Sequence, residues 1–184
     1  MDRWGLNARF QVPQMITCYW LKPSPGFMMI NTDGSLNDGA TGFGAIIRDE
    51  EGDALTAVVG SSVPKTITYH ELQGLEAGLR LTASHNYRNV QVGTDSITVL
   101  SYFQQPIDPP WIAIPIMRRI CKMIQNLKSF QIQHIYRQTN RAADHLASLY
   151  RTSDFLEIVP SAFAEDLKKI VFDDKVGKAY YRCI

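Results

Sequence analysis

Cysteine is scarce in this chain: three residues, Cys18, Cys121 and Cys183, stand far apart. Their odd number argues against a disulfide framework, and no two have the spacing of a zinc site. We read them as free thiols in a reducing compartment. No window approaches the ~18 apolar residues needed to span a bilayer. The start, Asp2 and Arg3 with no apolar run after them, lacks the form of a secretory signal. There is no low-complexity tract and no internal repeat. Net charge is also nearly absent, at +1, so overall electrostatics give no reason to expect nucleic acid. These absences leave a non-membrane, intracellular protein of the nucleus or cytoplasm. With 45% hydrophobic and 20% charged residues, 184 residues suit one domain with short extensions.

Charge is present but unevenly placed. Between Asp33 and Glu76 stand eight acidic residues against Arg48 and Lys65; between Arg118 and Arg151 stand seven basic residues against Asp144 alone. Either these are two solvated faces of opposite sign, or they are an acidic site beside a basic surface, as a metal-using enzyme acting on a phosphate polymer requires.

The first 26 residues carry no sustained period and end in the stiff Lys22-Pro23-Ser24-Pro25-Gly26. Phe27 to Ile30 reads as a strand closed by an Asn31-Thr32-Asp33-Gly34 turn, Phe43 to Arg48 as a second strand and Ala54 to Gly60 as a third, antiparallel one. Leu72, Leu75, Leu79 and Ala83 predict an amphipathic helix over about 68–84. Val90 to Val92 is a short strand, followed by a helix from Asp95 to about Phe103 and a break at Pro106 to Pro110. Ile116, Ile120, Met123, Ile124 and Leu127 mark a helix from about Ala113 to Leu127, with Pro115 in its first turn. Ile132 and Ile135 lie in a last strand, and a helix starts after Asn140. The order βββ, α, β, αα, β, α implies an α/β fold with a mixed sheet covered by helices.

Four carboxylates stand at element boundaries, and each has a structural reading. Asp33 begins an Asp-Gly turn; Glu71 closes a Thr68-to-Glu71 capping box; Asp95 is a candidate N-cap; Asp144 sits where a helix dipole favours a carboxylate. Together they admit another reading, because two strand ends and two first helical turns can converge on one rim of a sheet. Carboxylates so gathered repel one another and need cations. Their hard oxygens favour Mg²⁺ or Mn²⁺, and two such ions can drive phosphodiester hydrolysis.

Five segments occur in a telling order: Trp20 to Gly26 followed by Asn31-Thr32-Asp33-Gly34-Ser35; Gly42 to Asp49; His70-Glu71-Leu72-Gln73-Gly74-Leu75; Thr94-Asp95-Ser96; and Tyr136 to Ala147. The set resembles the ribonuclease H family, and within it the plant retroelement-type domains associated with reverse transcriptases. The resemblance implies a five-stranded mixed sheet, three antiparallel strands with two parallel additions, flanked by helices. It also implies an endonuclease that hydrolyses the RNA strand of RNA–DNA hybrids as a monomer, leaving 3′-hydroxyl and 5′-phosphate ends. Asp33 would bridge two Mg²⁺ or Mn²⁺ ions, Glu71 and Asp95 would hold the leaving-group side, and Asp144 the side of the attacking water. Gly34, Ser35 and Asn37, in a polar loop running to Gly42, would approach the RNA minor groove; Arg137, Asn140 and Arg141 would hold nucleic acid. His134, ten residues before Asp144, stands where bacterial members have an auxiliary histidine, and a structural place in the last strand is equally open. The catalytic unit is expected over 27–151, with an extension and linker at 1–26 and a C-terminal extension at 152–184, helical around Phe163, Leu167 and Ile170. The basic handle helix of some bacterial members has no counterpart.

Related nucleases of the same superfamily fit less well. Proofreading exonucleases carry Asp-x-Glu, where this chain has Asp33-Gly34-Ser35. Transposases and integrases want a glutamate beyond the second aspartate, and Asp95 to Tyr136 contains none. The rival function is a retroelement-derived binding module with little or no activity, although binding alone does not call for four retained carboxylates.

Overall fold

The computed structural model describes residues 13–38, 40–105, 108–149 and 155–184. Along the chain come β1 (Met15–Cys18), β2 (Met28–Asn37), β3 (Ala40–Arg48), β4 (Ala54–Gly60), α1 (Ile67–Ser84), β5 (Asn89–Thr94), α2 (Ile97–Gln104) and α3 (Ile114–Ile124). Then follow β6 (Ser129–His134), α4 (Arg141–Ala147), β7 (Leu156–Ile158), α5 (Glu165–Lys175) and β8 (Tyr180–Cys183). The main sheet has the order β6-β5-β2-β3-β4-β7. β2, β3 and β4 are antiparallel, and β5 and β6 add in parallel to β2.

The sheet therefore has six strands rather than the five expected. Leu156, Glu157 and Ile158 pair with Val59, Val58 and Ala57, covering an edge that β4 would otherwise leave open. Three residues are too few to show an alternating pattern. β1 and β8 form a separate two-stranded ribbon, with Met15 opposite Cys183 and Cys18 opposite Tyr180. The expected boundary at 151 and the break at Pro106 fall outside the described residues. No helix among the described residues is long and apolar enough to cross a membrane.

Helices cover both faces, and β3 shows why. Ala45 and Ile47 join Leu72, Leu75, Leu79, Ile116 and Ile120 in the core under α1 and α3, while Ile46 joins Leu146, Leu167 and Ile170 under α4 and α5. Successive side chains of a strand face opposite ways, so a strand covered twice reads as a continuous apolar run. α3 stops at Ile124, short of the expected Leu127.

Close approach positions the helices. A Cβ at Gly44 would stand 2.6 Å from the Leu146 Cβ, and one at Gly34 would meet the backbone of His70 and Glu71. Gly34 thus lets α1 press onto β2 at the turn that carries Glu71.

The N- and C-terminal segments are fastened to the core through a buried ion pair. The Arg48 guanidinium donates to Asp174 at 2.8 Å, both side chains being almost wholly buried. Tyr180 Oη donates to the same carboxylate at 2.7 Å, the Trp20 ring stacks 4.4 Å from the guanidinium, and Trp20 Nε1 donates to Asn31 at 2.9 Å.

Candidate active site

Asp33, Glu71 and Asp95 meet at one end of the sheet, each offering a carboxylate oxygen within 4.8 Å of the others. None of the three keeps the boundary role its sequence context offers. Asp33 is not in a turn: β2 runs on to Asn37, pairing Asp33 with Gly44, and the hairpin turns at Asp38. Glu71 closes no capping box, because the cap is Thr66, whose hydroxyl accepts from the Tyr69 amide at 3.2 Å. Asp95 is not the N-cap of α2; Ser96 takes that place and accepts from Val99. Asp144 alone keeps its structural reading, in the first turn of α4.

The cluster is only partly compensated. Burial, and then repulsion from Asp95 and Asp144, pushes the Asp33 carboxyl up to about 8. Glu71 is pushed up to about 9 by burial and then by Asp33 and Asp95. Asp95 is raised by burial too, but its own backbone amide and the Asn140 side chain hold it down in part. Arg137 eases the repulsion at all three.

The fourth carboxylate stands apart from this group. Asp144 Oδ1 accepts from Arg137 Nη2 at 2.8 Å, and the arginine side chain is 76% exposed. Asp144 still acts on Asp33 and Asp95 through its charge.

The expected nucleic-acid residues divide into several environments. Ser35 and Asn37 lie on the outer reach of β2 and Asn37 is exposed, so the expected loop from Ser35 to Gly42 is largely hairpin strand. Gly34 has a packing reason to be glycine, given above. Asn140 is buried: its Nδ2 donates to Thr32 O at 2.9 Å and to Asp95 Oδ1 at 3.0 Å, tying the start of α4 to β2 and to the third carboxylate. Its four-residue spacing from Asp144, one helical turn, was the available signal for a place beside the acids. Arg141 is exposed and lies 5.5 Å from the Tyr180 ring. His134 ends β6 opposite Thr94, its ring edge-on to Tyr136.

The donor set suits a hard divalent ion. It consists of oxygens alone, and both Glu71 Oε2 and Asn140 Oδ1 are buried without a hydrogen-bond partner among the described residues. A cation would relieve the repulsion and could engage these atoms.

Comparison with known proteins fits this geometry. A family model described as reverse transcriptase-like matches residues 31–150. The chain belongs to that family. An Arabidopsis thaliana protein named for ribonuclease H is 27% identical over 161 residues. The match covers 82% of this chain but 25% of that protein, so the chain spans about a quarter of its relative. Ribonuclease H1 from the halophilic archaeon Halobacterium salinarum superposes with a TM-score of 0.63 at 20% identity, over 67% of this chain and 96% of its own. A ribonuclease H1 crystallised with an RNA/DNA hybrid gives 0.60 at 22% identity, over 66% and 94%. The fold is that of ribonuclease H. The family match stops short of β1, β7, α5 and β8.

Proposed function

We propose that this chain is an endonuclease that hydrolyses the RNA strand of RNA–DNA hybrids, leaving 3′-hydroxyl and 5′-phosphate ends. The observation that carries the reading is the convergence of Asp33, which is buried, with the half-buried Glu71 and Asp95 into one like-charged group. Two Mg²⁺ or Mn²⁺ ions bound there would activate water and offset charge on the leaving oxygen. Asp33, whose carboxyl feels both Asp95 and Asp144, would help hold both ions. Glu71 and Asp95 would serve the leaving-group side, and Asp144 the side of the water.

The remaining residues position and hold. Asn140 keeps Asp95 oriented. Arg137, largely exposed, can exchange Asp144 for a substrate phosphate, and Arg141 would hold another. Such contacts set register without reading sequence. Gly34, Ser35 and Asn37 would lie against the minor groove, where the 2′-hydroxyl distinguishes RNA from DNA. His134 would assist product release. The catalytic unit would span 27–151, act as a monomer and work in the nucleus or cytoplasm.

A second reading, a binding module with little activity, has the Arg137–Asp144 ion pair in its favour, because a guanidinium already satisfies the fourth carboxylate. End-labelled RNA annealed to DNA, incubated with Mg²⁺ or Mn²⁺ beside an Asp33→Asn variant, separates the two. Single-stranded and duplex RNA are the controls. Metal-dependent cutting of the hybrid's RNA that disappears in the variant is the expected result. Binding of hybrid without cutting by either ion would establish the module.

A further inference from the structure

The β1–β8 ribbon lies outside the family match, yet it builds a groove against the end of β6. The groove encloses about 390 Å³ between Thr17, Tyr19 and Leu21 on the ribbon side and His134, Tyr136 and Thr139 on the core side. Tyr19 is 50% exposed, Leu21 55% and Tyr136 38%, so aromatic and apolar faces are left to water in one place. Among the described residues no carboxylate lines it. Cations flank it: the Arg182 guanidinium of β8 sits 4.6 Å over the Tyr136 ring, and Arg137 follows Tyr136 directly.

We infer that this groove seats an unpaired nucleotide of a strand leaving the hybrid. Exposed aromatic rings beside guanidinium groups recognise base faces and phosphates together. Base faces are hidden within a paired hybrid, so the occupant has to be unpaired, and the groove is of a size for one nucleotide rather than a duplex. Its position suits such a strand. His134 pairs with Thr94, the neighbour of Asp95, and Arg137 reaches Asp144, so the groove adjoins the carboxylate rim. A strand cut at the carboxylates would pass Arg137 and then Tyr136. The groove wall is firmly held, because Cys18 Sγ donates to Tyr180 O at 3.5 Å and Tyr180 Oη is bound to the buried Asp174. This inference rests on the proposed action on hybrids and adds a subsite to it.

Fluorescence anisotropy in EDTA, so that nothing is cut, would compare a blunt hybrid with the same hybrid carrying a short RNA or DNA overhang. A 2-aminopurine at the first unpaired position would report stacking. We expect one of the overhangs to bind about tenfold more tightly than the blunt hybrid, which also identifies the strand. That ratio should fall to about one in Tyr19→Ala/Tyr136→Ala, and Tyr19→Ala alone, at a half-exposed position, should lower it if the double variant does not fold. Equal affinity for blunt and overhanging hybrids, with no change in the 2-aminopurine signal, overturns the inference. If neither hybrid binds, the proposed function fails. The groove would still be supported by single-stranded oligonucleotide binding that is lost in the tyrosine variants.

Discussion

Two charged groups in this molecule, one wholly and one partly buried, are built on opposite principles. At Arg48 and Asp174 a guanidinium meets a carboxylate at 2.8 Å, with Tyr180 and Trp20 completing the enclosure. At Asp33, Glu71 and Asp95 carboxylates are gathered with no ion pair to any of them among the described residues, and Arg137 acts on them from an exposed position. The first group finds its counter-charge within the chain, although Arg48 Nε is buried with no hydrogen-bond partner among the described residues, and it fastens the terminal segments to the core. The second forms no ion pair among the described residues, and burial and mutual repulsion raise the Asp33 and Glu71 carboxyls. Burial alone does not separate structural from functional charges; whether the protein supplies the counter-charge does.

The largest effect should come from breaking the paired group. Arg48→Met leaves Asp174 buried and unpaired, and urea denaturation should show a loss of about 3–5 kcal/mol. Arg48→Met with Asp174→Leu should recover most of it, because two apolar side chains need no counter-charge. If the double variant is no better than the single one, the pair is not the fastening described.

The carboxylate group should respond in the opposite direction. Asp33→Asn removes a repulsive charge, so the metal-free variant should be more stable at pH 8 by about 2 kcal/mol or more. The sign follows from the raised carboxyls. Asp33 and Glu71 are pushed up to about 8 and 9 when folded, so stability is full below the free-carboxyl range and is lost as pH rises from there to those raised values. Melting temperatures of the metal-free protein should therefore decline from about pH 5 to pH 9. Added Mg²⁺ should flatten the decline. A profile that rises over this range would contradict the site.

A smaller effect is expected at the link between α4 and the acids. Asn140→Ala withdraws the donor shared by Thr32 O and Asp95. Ion binding should weaken by about tenfold, the scale of a hydrogen bond to a charged group. Calorimetry with Mn²⁺ would measure it, and unchanged affinity would reduce Asn140 to a packing residue.

The legible and illegible parts of the sequence divide along physical lines. The apolar spacing of Leu72, Leu75 and Leu79 and the apolar runs of β3 and β4 were enough for the main elements, because burial imposes a period. The ordered motifs pointed to Asp33, Glu71 and Asp95, while each local context pointed to a cap or turn. The local readings failed because tertiary packing decides: Gly34 serves the approach of α1 rather than a turn, and Thr66 and Ser96 take the caps. β1, β7 and β8 have four, three and four residues, too short for a period. The Arg48–Asp174 pair joins residues 126 apart, and no local pattern announces it. Asn140 had a readable spacing, yet its burial and bonding direction required the fold.

The most direct measurement of the central claim is a calorimetric titration of the chain with Mn²⁺ at pH 7, repeated in two buffers of different ionisation enthalpy. The account predicts saturable binding with release of protons, since carboxyls at about 8 and 9 must give them up. Asp33→Asn should abolish it. Absence of binding, or equal binding by the variant, would contradict the account.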